Sequence, residues 1–149
     1  MLSQRGRYAL KAMLSIARAH IGDRPKQVSA IASEDNISRK FLESIMSELR
    51  QAGLVESRRG KLGGYRLTRE PGDITFGDIM RVTDGPLALL PCVSQKFYRR
   101  CDDCADEASC TVRRIMADVR REVSDILDRT SLADAIGGEG MAVIEASIG

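Results

Sequence analysis

A chain of 149 residues and 16.4 kDa has room for one domain, or for one small domain with an extension. Hydrophobic residues make up 43% of it, aromatic residues only 4%, and Trp is absent, so the core must be aliphatic; this argues against an aromatic-rich β-sandwich and for helices. The net charge of +2 conceals an asymmetry: residues 1–70 carry 14 Lys and Arg against 7 Asp and Glu, a balance of +7, and residues 71–149 carry 9 against 14, a balance of −5. A basic first half suits a polyanion, because neutralised phosphates release condensed counterions. A solvated charged surface would give the same count.

Residues 3–20 repeat apolar side chains at helical spacing (Leu10, Met13, Leu14, Ala17, then Ile21) and predict an amphipathic helix that Gly22-Asp23-Arg24-Pro25 ends. Arg5, Arg7, Lys11 and Arg18 interrupt this stretch, so it reads neither as a secretory signal nor as a membrane span. The expectation is a cytoplasmic protein without a membrane partner, whose thiols are ligands or redox sensors rather than structural disulfides. His20, near the helix end, suits the C-terminal dipole and is given no ligand role.

Ser29 is the expected N-cap of a short helix reaching Asn36. Ile37-Ser38 makes a tight turn, and Ser38 caps a longer helix from Arg39 to about Gln51. Phe41, Leu42, Ile45 and Leu49 form its apolar face; Ser38, Arg39, Lys40, Glu43, Ser44 and Ser47 are available on the other side. Two helices joined by a short turn, the second capped and polar outward, meet the requirements of a helix-turn-helix. Arg there can pair with guanine and Glu can accept from cytosine.

Leu54 to Arg58 reads as a strand, 59–64 as a turn and Tyr65 to Thr68 as the return strand. A hairpin with a basic, glycine-rich tip is a wing. Its glycines permit positive φ and close approach to a phosphate. Arg58, Arg59, Lys61 and Arg66 supply its charge, with Arg58, Arg59 and Lys61 the candidate contacts to DNA backbone or minor groove. After the Pro71-Gly72 break, Thr75-x-x-Asp78 forms a capping box with Ile74 and Ile79 as a hydrophobic staple, and the helix it opens runs to about Thr83 before Asp84-Gly85-Pro86.

Residues 92–110 lack periodicity and read as a loop. They hold every cysteine of the chain, as Cys92-x8-Cys101-x2-Cys104-x5-Cys110. Thiolates are soft donors, and four of them can satisfy a 2Fe–2S cluster, a 4Fe–4S cluster or a tetrahedral zinc; the spacing matches no ferredoxin run and does not choose between them. Arg99, Arg100 and the start of the next helix favour thiolates, whereas Asp102, Asp103, Asp106 and Glu107 oppose them and are expected to keep the loop solvated. A thiol–disulfide enzyme built on Cys101-x2-Cys104 is disfavoured, since no βαβ unit is present and Asp102-Asp103 would raise the thiol pKa values. No catalytic residue is expected.

From Thr111 to Arg129 the pattern is helical again. Val112, Val119 and Ile126 repeat every seven residues, with Ile115, Met116, Val123 and Leu127 beside them. Such a stripe fits a helix lying along a partner helix, which makes Val112, Ile115, Met116, Val119, Val123 and Ile126 the candidate homodimer seam; packing on its own domain is the alternative. Ser131-x-x-Asp134 caps a last short helix. The expected division is a winged helix-turn-helix over 1–83, a cysteine-rich loop over 84–110, a dimerisation helix with a short terminal helix over 111–136, and a flexible tail over 137–149. The fold class is mainly α with a small β-hairpin wing.

These motifs together resemble one family. Arg39-Lys-Phe-Leu-Glu43, Gly53-Leu-Val55, Gly60-Lys-Leu-Gly-Gly-Tyr-Arg-Leu67, the cysteine loop, and the long helix ending Leu127-Asp-Arg-Thr-Ser-Leu-Ala-Asp134 are similar, over about residues 1–135, to the Rrf2 (BadM-type) winged-helix regulators. That resemblance implies a dimeric, double-stranded-DNA-binding repressor tuned by an iron–sulfur cluster that senses redox state, iron or nitric oxide. It also implies cluster ligands at Cys92, Cys104 and Cys110, with Cys101 additional. Relatives use a non-cysteine fourth ligand, either just after the third cysteine or on the first helix. Here those places hold Arg113, Tyr8 and Lys11, so Cys101 becomes the natural fourth ligand. A winged-helix regulator with a structural zinc or a thiol-redox site in the loop is the alternative.

Overall fold

The computed structural model describes residues 2–138. Helix α1 (Gln4–His20) starts at Ser3, whose hydroxyl accepts from the Gly6 amide at 2.9 Å. Its buried stripe is Ala9, Ala12, Met13, Ile16 and Ala17. Ile21, expected on that stripe, is 76% exposed, because the chain leaves the helix there and turns through Asp23 at φ +52°.

Helix α2 (Val28–Asp35) begins two residues earlier than expected, and its N-cap is Gln27 rather than Ser29. Ser29 sits in the first turn and donates to the Gln27 side-chain oxygen at 3.4 Å. The cause is non-local: Lys26 pairs with Tyr65 of the hairpin through two backbone hydrogen bonds of 2.8 and 2.9 Å, which fixes where the helix can start. Asn36, expected inside α2, is its left-handed C-cap at φ +52°, a conformation Asn tolerates better than most residues. Helix α3 (Arg39–Gln51) starts at Ser38, which accepts from the Phe41 amide at 3.5 Å, and buries Leu42, Ile45, Met46 and Leu49. Phe41 is only half-buried.

Strands β1 (Val55–Arg58) and β2 (Gly64–Leu67) pair antiparallel, with Val55 opposite Leu67 and Arg58 opposite Gly64. Alternation puts Val55 and Leu67 into the core at one end and leaves the tip outside. Gly64 has φ +138°, and a Cβ there would stand 2.6 Å from the Lys26 carbonyl oxygen. A Cβ at Gly63 would stand 2.2 Å from the Arg58 carbonyl oxygen. Gly63 is therefore required by the hairpin's own backbone, and Gly64 by the close pairing of the hairpin with Lys26.

Helix α4 (Phe76–Thr83) has the full capping box of Thr75 and Asp78, and Ile74 and Ile79 are both fully buried beside it. It packs against α1, α3 and the long helix α5 (Thr111–Arg129). After α5 the chain returns to the winged helix: the Phe76 amide donates to the Thr130 carbonyl, the Leu132 amide to the Ile74 carbonyl, both at 2.9 Å, and Leu132 is fully buried. Ser131 and Asp134 cap each other's amides at 3.0 Å, opening α6 (132–138). That helix takes in Gly137 and Gly138, where the sequence predicts the start of the tail; residues 139–149, the rest of the expected tail, lie outside the described residues.

One aliphatic core unites α1 to α4, the hairpin and Leu132. Helix α5 contributes no fully buried residue. The fold is a winged helix-turn-helix carrying a long additional helix.

Candidate nucleic-acid interface and cysteine loop

Helix α3 and the hairpin flank an open groove lined by Gln27, Ser29, Arg39, Glu43, Arg58 and Tyr65. Ser38, Arg39, Lys40 and Glu43 are exposed, and Arg39 Nε lies 3.1 Å from Glu43 Oε1. Exposed i,i+4 pairs are worth only a few tenths of a kcal/mol, so this one can open towards another partner at little cost. On the wing, Arg58, Arg59 and Lys61 are all exposed.

Other expected contacts are engaged elsewhere. Ser44 accepts from Arg5 Nη2 at 3.1 Å, and Arg5 also pairs with Glu48 at 2.6 Å, so Ser44 helps hold α1 against α3. Ser47 is half-buried. Arg66 is turned back onto Asp23, donating to both its carbonyl and its carboxylate, and adds nothing to the charge of the wing tip. Conversely, Gln27, Ser29 and Tyr65 line the groove and were not anticipated. Their signal was available for the first two: the first helix of a helix-turn-helix crosses the DNA backbone, so its leading residues face the phosphates. Leu62, at the wing tip, is 91% exposed.

The cysteine segment leaves α4 through Gly85 and has one regular feature, a 3-10 turn at Pro91–Val93. Cys92 is buried in that turn; Cys101, Cys104 and Cys110 are half-buried, and all four are free thiols. Cys101 lies against Cys92: a hydrogen bond between the two thiols, followed by desolvation and the charges of Cys92, Asp103 and Cys104, pushes the Cys101 pKa upward. A turn closed by the Cys104 amide on the Cys101 carbonyl, at 3.2 Å, brings the third cysteine alongside. Cys110 is the N-cap of α5, its Sγ accepting from the Arg113 amide at 3.4 Å.

The loop charges face inward on the loop itself. Arg100 donates to the Cys104 and Ala105 carbonyls at 3.2 and 3.3 Å, so it braces backbone rather than a thiolate. Glu107 pairs with Arg113 at 3.6 Å and accepts from the Tyr98 hydroxyl, whose pKa that bond raises. Asp106 accepts from the Ala108 amide at 3.2 Å, and its pKa is lowered by Ser109 and that amide. Two of the four acids therefore shape the loop instead of merely solvating it.

Four thiols in one segment match an iron–sulfur cluster in softness and number, and Cys101 neighbours both Cys92 and Cys104. Among the described residues, no three His, Cys, Asp or Glu side chains stand close enough together to hold one ion. The segment carries one short 3-10 turn and no strand, so gathering the thiols would disturb only that turn and the cap of α5. On α1, Tyr8 packs edge-on against Phe41 at 5.9 Å and Lys11 reaches Asp35 at 3.9 Å, so neither points to the cysteines. The donors match such a cluster in chemical type and in number.

Along α5, Val112, Ile115, Val123 and Ile126 are 60%, 45%, 41% and 52% exposed, while Met116 and Val119 are half-buried. An apolar stripe left open over the length of a helix is the feature a second copy would cover. Among the described residues, no helix is long and apolar enough to cross a membrane.

Known proteins share this architecture. The model of the Rrf2 family, described as an iron-dependent transcriptional regulator, matches residues 2–138. A Rhodobacter capsulatus protein described as an rrf2-like HTH-type transcriptional regulator is 40% identical over 138 residues, covering 91% of this chain and 92% of its own. The structure of CymR, the global cysteine regulator of Bacillus subtilis, superposes with a TM-score of 0.75 at 38% identity, covering 91% of this chain and 95% of that one. T. potens IscR does so with a TM-score of 0.72 at 32% identity, covering 92% and 86%.

Proposed function

The chain belongs to the Rrf2 family of DNA-binding transcriptional regulators, which are not enzymes, and from that premise we propose that it is a cytoplasmic homodimeric repressor whose operator affinity is switched by an iron–sulfur cluster. The observation that carries this reading is that all four cysteines stand on the one segment joining the winged helix to α5. A bound cluster would supply a centre whose charge and ligation respond to redox state, iron supply or nitric oxide.

Cys92, Cys101, Cys104 and Cys110 would be its ligands. Cys110 also caps α5, so a change at its sulfur is felt at the first turn of that helix. Helix α5 is paired to α4, and α4 packs on α3. If the dimer seam runs along the stripe of α5, the two recognition helices are spaced by the same element the loop adjusts. A few kcal/mol of differential affinity between the two forms gives a strong switch. In the complex, Ser38, Arg39, Lys40 and Glu43 read base edges, with Ser44 and Ser47 at the margin, and Arg58, Arg59 and Lys61 hold the backbone.

Protein purified without oxygen should absorb visible light and contain iron and sulfide, and its operator affinity should change when the cluster is stripped. Cys101→Ser should lose most of that absorbance; full retention would remove Cys101 from the ligand set, and equal operator binding by loaded and stripped protein would sink the switch. The contact between the Cys92 and Cys101 thiols favours one second reading, a structural zinc or a thiol-redox site in the same loop. Colourless zinc-bound protein, or metal-free protein regulated by oxidation of this pair, would establish it.

A further inference from the structure

A cavity of ≈ 180 Å³ lies between the end of α4, residues 85–97 and α5, somewhat larger than an engineered ~150 Å³ cavity that admits benzene. Leu87, Ala88 and Phe97 supply apolar wall, Ser94 and Ser124 supply hydroxyls, and the charged groups on its lining are Arg81, Lys96 and Arg120. Among the described residues no carboxylate lines it. Arg81 is already neutralised by Asp128, which leaves Lys96 and Arg120. Arg120 Nε is buried and has no hydrogen-bond partner. A buried donor left without an acceptor costs free energy, and a mostly apolar cavity with a few converging polar groups is the usual form of a small-molecule site.

We propose that this cavity binds a small organic carboxylate, its oxygens accepting from the guanidinium of Arg120 with Lys96 at the mouth, and its apolar part against Leu87 and Phe97. None of the four thiols lines the cavity, although Cys92 lies in the 85–97 segment that forms one of its walls. It borders Arg81, so an occupant would act on the junction of α4 and α5.

The test is calorimetric titration of the full chain with benzoate, with benzamide as the neutral isostere. Benzoate should bind saturably, and benzamide at least about tenfold more weakly, the loss expected for removing a charge-assisted contact. Arg120→Gln should weaken benzoate about tenfold or more, and Lys96→Gln, at an exposed position, less. Ser124→Leu, which fills the cavity, should abolish binding, and Ser124→Ala should preserve it. No benzoate binding up to roughly 10 mM, equal binding of benzoate and benzamide, or unchanged affinity in Arg120→Gln and Ser124→Leu with an unchanged melting temperature would overturn the proposal.

Discussion

The guanidinium of Arg81 grips both carboxylate oxygens of Asp128, at 2.6 and 2.9 Å, and so ties α4 to α5 across 47 positions of sequence. The fork geometry of Arg suits a carboxylate in this way, and Lys could not reproduce it. Hydrogen bonding to Arg81 holds the Asp128 pKa below its ordinary 3.8, against a smaller opposing effect of burial, and raises that of Arg81.

Asp128→Asn should cost about 0.5–1 kcal/mol at neutral pH, a modest figure because the two side chains are 34% and 46% exposed and solvent screens them. A carboxylate whose folded pKa is depressed adds stability above its unfolded value, and that contribution disappears as pH falls through the folded value. The difference between wild type and variant in urea midpoint should therefore be flat from about pH 5 to 8 and shrink progressively as the pH falls below the ordinary carboxylate range. A difference that persists undiminished in acid would show that the carboxylate charge is not what holds the pair.

Gly77→Ala provides an independent break. A Cβ there would stand 2.0 Å from Asp128 Oδ1 and 2.8 Å from Arg81 Nη1, so the pair must part. Ala is about 1 kcal/mol better than Gly within a helix, which offsets the loss. Overall stability should hardly move, while Asp128→Asn should cost nothing further in that background. Additive losses in the double variant would contradict the steric argument.

Arg59→Ala on the wing should weaken binding to operator and random duplex alike and lower the slope of log affinity against log salt by about 0.9, one phosphate contact. Loss at a single base position would instead assign Arg59 to base reading.

Val123→Glu places a charge at the centre of the open stripe of α5. In the single chain Val123 is 41% exposed, so folding should survive. Sedimentation should report a dimer for wild type and a monomer for the variant at micromolar concentration, with operator affinity falling in parallel. A wild type that sediments as a monomer would remove the seam altogether.

Where a signal was local, it was legible. Ser38, the Thr75–Asp78 box, the Ser131–Asp134 box and the bounds of α5 each depend on residues within a few positions, and each stands where periodicity and capping put it. The failures share a different origin. Ser29 loses the cap because Lys26 is paired to Tyr65, thirty-nine positions on. Ser44 is taken by Arg5, and Arg66 by Asp23, forty-three positions back. The groove partner Tyr65 and the Arg81–Asp128 pair need the tertiary fold before they can be seen. The donors of the cysteine loop were evident by type, but their proximity was not, since nothing periodic governs an irregular segment.

The way α5 is attached has a mechanical corollary. Its C-terminal end is locked by Leu132 in the core and by Asp128, whereas its N-terminal end is continuous with the thiol-bearing segment. Nineteen residues make a rod of about 28 Å. With the fulcrum at one end, a tilt of about 10° sweeps the other through about 5 Å. A shift of about 5 Å beside Cys110 is thus converted into a tilt of about 10° along the whole of α5, without disturbing the core that presents the recognition helix.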